Sequence, residues 1–175
     1  LDAAYREGHG ELKISVSPGQ DLPGTAGAIQ TALPFIESVP ALVLNGDSYC
    51  TADLAAFFEA HRVAGAQRSM LLVKSGERSD YGRGETDKER RVTAYAEKDA
   101  SGGPGWVNAG VYLLSRTAIQ SIPTGRPVSI ERDVFPSWIP SGINGVRLDG
   151  GFLDIGTPER FAEAEDYLAQ HGARS

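Results

Sequence analysis

One cysteine among 175 residues gives Cys50 no partner inside the chain, so no disulfide framework holds this fold. That usage fits a reducing compartment, and a cytoplasmic protein is expected. No apolar stretch approaches the roughly 20 residues that cross a bilayer. Asp2, Arg6, Glu7, Glu11 and Lys13 leave no apolar signal region near Leu1. Basic runs are absent too: 17 Lys and Arg against 23 Asp and Glu give a net charge of −6. Such a chain lacks the basic face of a general nucleic-acid binder, and it lacks the polybasic segment that docks on anionic membranes. The three histidines, His9, His61 and His171, are scattered and none is near Cys50. A zinc centre and a Cys-His nucleophile are therefore set aside. No Gly-x-Ser-x-Gly elbow and no Walker-type Gly-Lys-Ser/Thr occurs. Asp47-Ser48-Tyr49 is not an Asp-x-Asp, which counts against a metal-dependent glycosyltransferase.

What the chain does have is punctuation. Its 21 glycines and 10 prolines separate short β-rich runs from helical patterns, the alternation of an α/β sheet. With no repeat and no linker, residues 1–175 read as one domain. Strands are expected at Leu12–Ser15, Ala41–Leu44, Met70–Val73, Arg91–Ala96, Val107–Leu114 and Val146–Asp149. Ala41–Leu44 and Met70–Val73 are apolar throughout, the mark of strands covered on both faces. A helix is expected from Gly24 to about Ala32, stopped with the help of Pro34. Thr51 is placed as the cap of a second, with Asp53 in its first turn and Gly65 as its stop. Ser129–Ile139 reads as a short helix. A last helix follows Thr157 and Pro158, with Phe161, Ala164, Tyr167 and Leu168 on one face. Ser75–Glu89, rich in glycine and charge, reads as a long surface excursion.

Chemistry gathers at strand ends, where open α/β sheets bind ligands. Asp47 follows Ala41–Leu44 through Asn45-Gly46. A carboxylate there, beside a glycine that admits a ligand to the backbone, suits Mg²⁺, and it equally suits a plain turn. Asp154 ends the run Phe152-Leu153-Asp154, just before a helix start, and has the same two readings. Glu97-Lys98 closes a strand; a carboxylate can grip sugar hydroxyls and an ammonium can hold a phosphate, although exposed Glu-Lys neighbours are common. Asn108-Ala109-Gly110 breaks a strand with small residues, for a ligand or for a bulge. Gly24-Thr25-Ala26-Gly27, at a helix start, could receive an anion or nucleotide.

Taken in order, these segments resemble the sugar-1-phosphate nucleotidylyltransferases. Leu22-Pro23-Gly24-Thr25-Ala26-Gly27-Ala28 is similar to that family's Pro-Leu-Gly-Thr-Ala/Gly-Gly-Ala segment, with the Pro and Leu exchanged. Leu44-Asn45-Gly46-Asp47, Tyr81-Gly82, Glu97-Lys98, Asn108-Ala109-Gly110-Val111-Tyr112, Ser129–Pro136 and Phe152–Glu159 follow in family order. The likeness is greatest to guanylyltransferases of heptose or mannose 1-phosphate, with uridylyl- and thymidylyltransferases similar. It implies a Rossmann-like, predominantly parallel sheet of the nucleotide-diphospho-sugar transferase type. It also implies transfer of a nucleotidyl group from an NTP to a sugar 1-phosphate. By the same resemblance Asp47 and Asp154 hold Mg²⁺, and Lys98 holds the sugar phosphate. Glu97 and Asn108 bind sugar hydroxyls, Tyr81, Gly82 and Gly110 line the sugar site, and Gly24, Thr25, Gly27, Asn45 and Gly46 lie along the nucleotide. A homo-oligomer is left open.

The chain departs from the family at its start. The family's first strand and its Gly-x-Gly-Thr-Arg-Leu loop, which cradles the triphosphate, have no counterpart here. On the order of 50 residues are involved, more than one βαβ unit of about 30. The expectation is an N-terminally truncated fold, whose working form includes an upstream segment beside Ala41–Leu44. A non-catalytic regulatory subunit of the same fold, and an unrelated α/β interaction domain, are the competing readings.

Overall fold

Met70-Leu71-Leu72-Val73 is apolar at every position because both faces of its strand are covered. All four side chains are fully buried. Met70 and Leu72 join a core with Tyr112, Leu114, Phe135 and Trp138, while Leu71 and Val73 join another with Phe57, Val111, Leu113 and Val146. Alternation with period two thus divides one strand between two cores, one on each side of a sheet. The computed structural model describes residues 15–17, 23–75, 81–96 and 104–171. The expected strand Leu12–Ser15 lies, but for Ser15, outside the described residues.

The described elements run α1 (Gly24–Ala32), β1 (Ala41–Leu44), β2 (Ser48–Cys50), α2 (Leu54–Val63), β3 (Arg68–Ser75), β4 (Arg83–Thr86), β5 (Val92–Ala96) and β6 (Gly105–Leu114). There follow α3 (Arg116–Gln120), α4 (Phe135–Trp138), β7 (Asn144–Leu148), β8 (Phe152–Asp154), α5 (Pro158–Ala162) and α6 (Ala164–His171). The main sheet has the order β5-β4-β6-β3-β7, with β1 also on β6. β3 pairs with β7 in parallel, while β6 is antiparallel to β1, β3 and β4, and β5 is antiparallel to β4. Consequently β1, β3, β4 and β7 point one way, and β5 and β6 point the other. This is the expected α/β sheet in that four of its six strands run one way, but β5 and β6 run against them, so that among the described pairings only β3–β7 is parallel and the sheet is mixed. Across β1's other edge, no strand pairs among the described residues.

Several local expectations are corrected. Asp53, not Thr51, caps α2, its side chain accepting from Ala56 N–H at 3.0 Å. Thr51 instead accepts from Gly151 N–H at 2.7 Å and ties β2 to the segment before β8. α1, by contrast, ends at Ala32 as expected, and Leu33–Phe35 follows as a 3₁₀ turn with Pro34 near its start, where a proline costs no helical hydrogen bond. β1 is covered on both faces only at its beginning: Ala41 is buried, Leu44 is 57% exposed. Ser75–Glu89 is no mere surface excursion, since it carries β4 and the buried Tyr81. α3, capped by Ser115, was not expected. Ser129–Ile139 begins as a π-helical turn over Ile130–Val134 before becoming α4. The last helix starts at Pro158 as expected but breaks at Glu163, and Phe161 and Leu168 are exposed.

One buried polar pair lies apart from the sheet's ligand-binding end. His61 Nδ1 and Ser69 Oγ are 2.8 Å apart, and Asn144 donates to the same hydroxyl at 3.3 Å. Burial lowers the His61 pKa below its ordinary value. The unfolded chain then binds the proton more readily, so His61 contributes stability above the usual histidine value of about 6.5 and loses it as pH falls through the folded value. Denaturant midpoints of the full-length protein should fall between neutral pH and pH ~5, a window just below that usual value. In His61→Asn that portion of the pH slope should vanish. An unchanged slope would contradict the burial of a neutral imidazole.

Candidate active site

β2 and β8 are only three residues each, yet their pairing builds the centre of the site. Ser48 lies opposite Asp154, Tyr49 opposite Leu153 and Cys50 opposite Phe152. Ile155 N–H donates to the Asp47 carbonyl at 2.8 Å, so the ladder continues past the strand end. Two carboxylates distant in sequence are thereby set side by side. A Cβ placed on Gly156 would stand 3.0 Å from Asp154 Oδ1 and 3.3 Å from Asp47 Oδ2. The two oxygens are therefore no farther apart than the sum of those distances, and they face one small space that a side chain at Gly156 would crowd. Two hard oxygen donors around such a space fit Mg²⁺, which commonly takes one or two carboxylates and completes its shell with phosphates and water. Among the described residues no cluster of three or more His, Cys, Asp or Glu could hold a metal alone.

Asp154 has further partners. Arg160 Nη1 donates to its Oδ2 at 2.6 Å, and Gly156 N–H donates to its Oδ1 at 2.8 Å. The guanidinium of Arg160 also lies 5.3 Å from the centre of the Tyr81 ring, which meets Phe152 edge-on at 5.0 Å. Thr157, N-cap of α5, accepts from Arg160 N–H at 3.3 Å and so fixes where this arginine starts.

Asp47, Tyr81, Phe152 and Asp154 line a cleft of about 710 Å³. One wall is the start of α1. Gly24 has φ +71°, and any Cβ there would strike the Val128 carbonyl, the same carbonyl that accepts from Ala26 N–H at 3.0 Å. Thr25 Oγ1 accepts from Ile130 N–H at 2.8 Å and donates to Glu131 Oε2, which also accepts from Ser129 Oγ at 3.0 Å. The floor is the bulge in β6. Gly110 has φ +68°, and a Cβ there would lie 2.8 Å from Asn45 Cγ. Asn108 Nδ2 donates to the hydroxyls of Tyr112 at 2.8 Å and Tyr95 at 3.4 Å, while its Oδ1 accepts from Gly110 N–H at 3.0 Å. Burial, with the nearby Glu131 charge, holds the Tyr112 phenol well above the usual tyrosine range, so it stays a neutral hydrogen-bonding group. Gly82 sits against the Tyr95 hydroxyl with no room for a side chain.

The structure thus brings Gly24, Thr25, Asn45, Asp47, Tyr81, Gly82, Asn108, Gly110 and Asp154 to one cleft. Gly27 is buried inside α1, where a Cβ would meet Pro23 at 2.9 Å, and Gly46 sits in an open turn; neither lines the cleft. Glu97 and Lys98 lie outside the described residues. Sequence reasoning missed Tyr95, Glu131 and Arg160 as members of the site. Glu131 lies in the family-like segment Ser129–Pro136, and Arg160 follows the Thr157-Pro158 cap by one helical turn, a spacing that could have suggested a return to Asp154.

The family model described as Nucleotidyl transferase matches residues 3–171. A mannose-1-phosphate guanylyltransferase of Mycobacterium tuberculosis is 38% identical over 150 residues, covering 84% of this chain and 42% of its own length. Mannose-1-phosphate guanylyltransferase 1 of Arabidopsis thaliana is 31% identical over 156 residues, covering 86% of this chain and 43% of its own. The chain therefore spans less than half the length of these relatives. Crystal structures of HddC from Yersinia pseudotuberculosis, one of them complexed with GMP-PN, superpose with a TM-score of 0.82 at 28% identity, covering 95% of this chain and 72% of theirs. By its matched length and its relatives, this chain belongs to the nucleotidyl transferase family.

Proposed function

We propose that the protein containing this chain transfers a nucleoside monophosphate, GMP from GTP, to mannose 1-phosphate or a heptose 1-phosphate. A sugar-phosphate oxygen attacks the α-phosphorus of the NTP and forms the new P–O bond. The bond from that phosphorus to the bridging oxygen breaks, and pyrophosphate leaves with the electron pair. A phosphate monoester is largely a dianion near neutral pH, so the nucleophile needs no general base. Positioning and charge neutralisation are left for the protein to supply. Asp47 and Asp154 would hold Mg²⁺, which when bound neutralises charge building on the phosphates. Thr25 and Gly24 form the nucleoside wall. Tyr81 and Gly82, with Asn108 and Gly110, face the sugar, and the carboxamide hydrogens of Asn108 hold the two tyrosine hydroxyls in place. Glu131 has one oxygen bound to Thr25 and Ser129, and the other can accept from a substrate hydroxyl. From the resemblance, Glu97 would grip the sugar and Lys98 its phosphate.

The observation that carries this reading is the β2–β8 pairing, which sets Asp47 and Asp154 over Gly156 at the edge of the cleft. The experiment is pyrophosphate release by the full-length protein. GTP, UTP, dTTP and ATP are each paired with mannose, heptose and glucose 1-phosphate, with Mg²⁺ and with chelator. Release is expected with GTP and the mannose or heptose ester, and only with Mg²⁺. No release in any combination would overturn the proposal.

A further inference from the structure

The two oxygens of Asp154 are not equivalent. Oδ2 is held by Arg160 at 2.6 Å, and both side chains are largely shielded, 17% and 27% exposed. Oδ1 alone faces the space over Gly156 that it shares with Asp47. Arg160 is itself held by the bond to Asp154, by the Tyr81 ring near its guanidinium and by its backbone N–H on the Thr157 cap. From this we infer that Arg160 is a positioning residue that makes Asp154 a one-oxygen ligand and so selects against large divalent cations. The inference rests on the proposed role of Asp154 as a metal ligand.

The physical reason is coordination number. Mg²⁺ demands near-octahedral geometry at 2.0–2.1 Å, taking one oxygen from each carboxylate and keeping several waters. Ca²⁺ accepts six to eight oxygens and often uses both oxygens of one carboxylate. A guanidinium seated on Oδ2 denies the second oxygen to any ion at Oδ1. A Ca²⁺ ion there would have to break a charge-assisted hydrogen bond to gain its extra ligand, whereas Mg²⁺ has no use for it. Lysine at 160 would keep one such bond but not the broad guanidinium placed over the Tyr81 ring.

The test reads metal binding without turnover. Mn²⁺ bound to the full-length protein, in the absence of nucleotide, is followed by electron paramagnetic resonance and displaced with Mg²⁺ or with Ca²⁺. In Arg160→Ala the ratio of Ca²⁺ to Mg²⁺ displacement constants should move about tenfold toward Ca²⁺, the worth of one hydrogen bond to a charged group. Arg160→Lys should restore most of the wild-type ratio. Equal weakening for both cations, or an unchanged ratio in Arg160→Ala, would overturn the inference. Asp154→Asn separates the two levels. If it leaves Mn²⁺ binding intact, Asp154 is no ligand and the metal reading itself fails; if it weakens Mn²⁺ while the Arg160 ratio stays fixed, only the inference fails.

Discussion

In the full-length protein, Asp47→Asn is expected to lower kcat/KM for nucleotide-sugar formation by about 10²–10³-fold, the usual effect of removing one electrostatic contact to the transition state. Thermal stability should barely change. The Asp47 carbonyl, which holds Ile155, survives the substitution, and the carboxylate itself faces the open space over Gly156. Asp154→Asn should lose as much activity and also cost roughly 1 kcal/mol, because it leaves Arg160 with a neutral partner. That asymmetry is informative: two residues with one function differ in stability for a reason visible in their partners. Activity measured across a Mg²⁺ titration, beside thermal melts, checks both parts. Full activity in either variant would remove that carboxylate from the site.

Expressed by themselves, the 175 residues are expected to form no nucleotide sugar and to self-associate. The acidic groups Asp47, Glu131, Asp133 and Asp154 line the described cleft, with Arg132 as its charged counterpart, which is an adverse surface for a triphosphate. In addition, β1 pairs with β6 on one side only among the described residues, and Leu44 at its end is 57% exposed. An apolar strand edge with free backbone groups is a template for another chain. Light scattering and pyrophosphate release on this segment, beside the full-length protein, test the expectation. A monomeric and active segment would contradict it.

The α/β class and the strand-end aspartates were legible because their signals are local. Met70–Val73 announces a doubly covered strand by composition, Asp47 follows one apolar run through Asn45-Gly46, and Asp154 ends another just before a helix start. The convergence of the two was not legible. It depends on β2, a three-residue strand of Ser48, Tyr49 and Cys50 whose sequence has no alternation to read, and which exists because β8 pairs with it. The direction of β6 was hidden for a similar reason, since pairing sense lies in the partner and not in the strand. Tyr81 was misplaced with a polar, glycine-rich surface stretch because its burial is supplied by Phe152 and Arg160, far along the chain. The ordered resemblance carried the segment into the site where composition had left it outside.

The most direct measurement is anomalous diffraction from crystals of the full-length protein soaked with Mn²⁺ and a non-hydrolysable GTP analogue. A single Mn²⁺ peak within about 2.6 Å of both Asp47 and Asp154 oxygens, the outer limit for an oxygen ligand, is the predicted result. With Arg160 still on Asp154 Oδ2, the ion should touch Oδ1 alone. A nucleotide bound in the cleft with Mn²⁺ on other residues, and none at Asp47 or Asp154, would contradict the account.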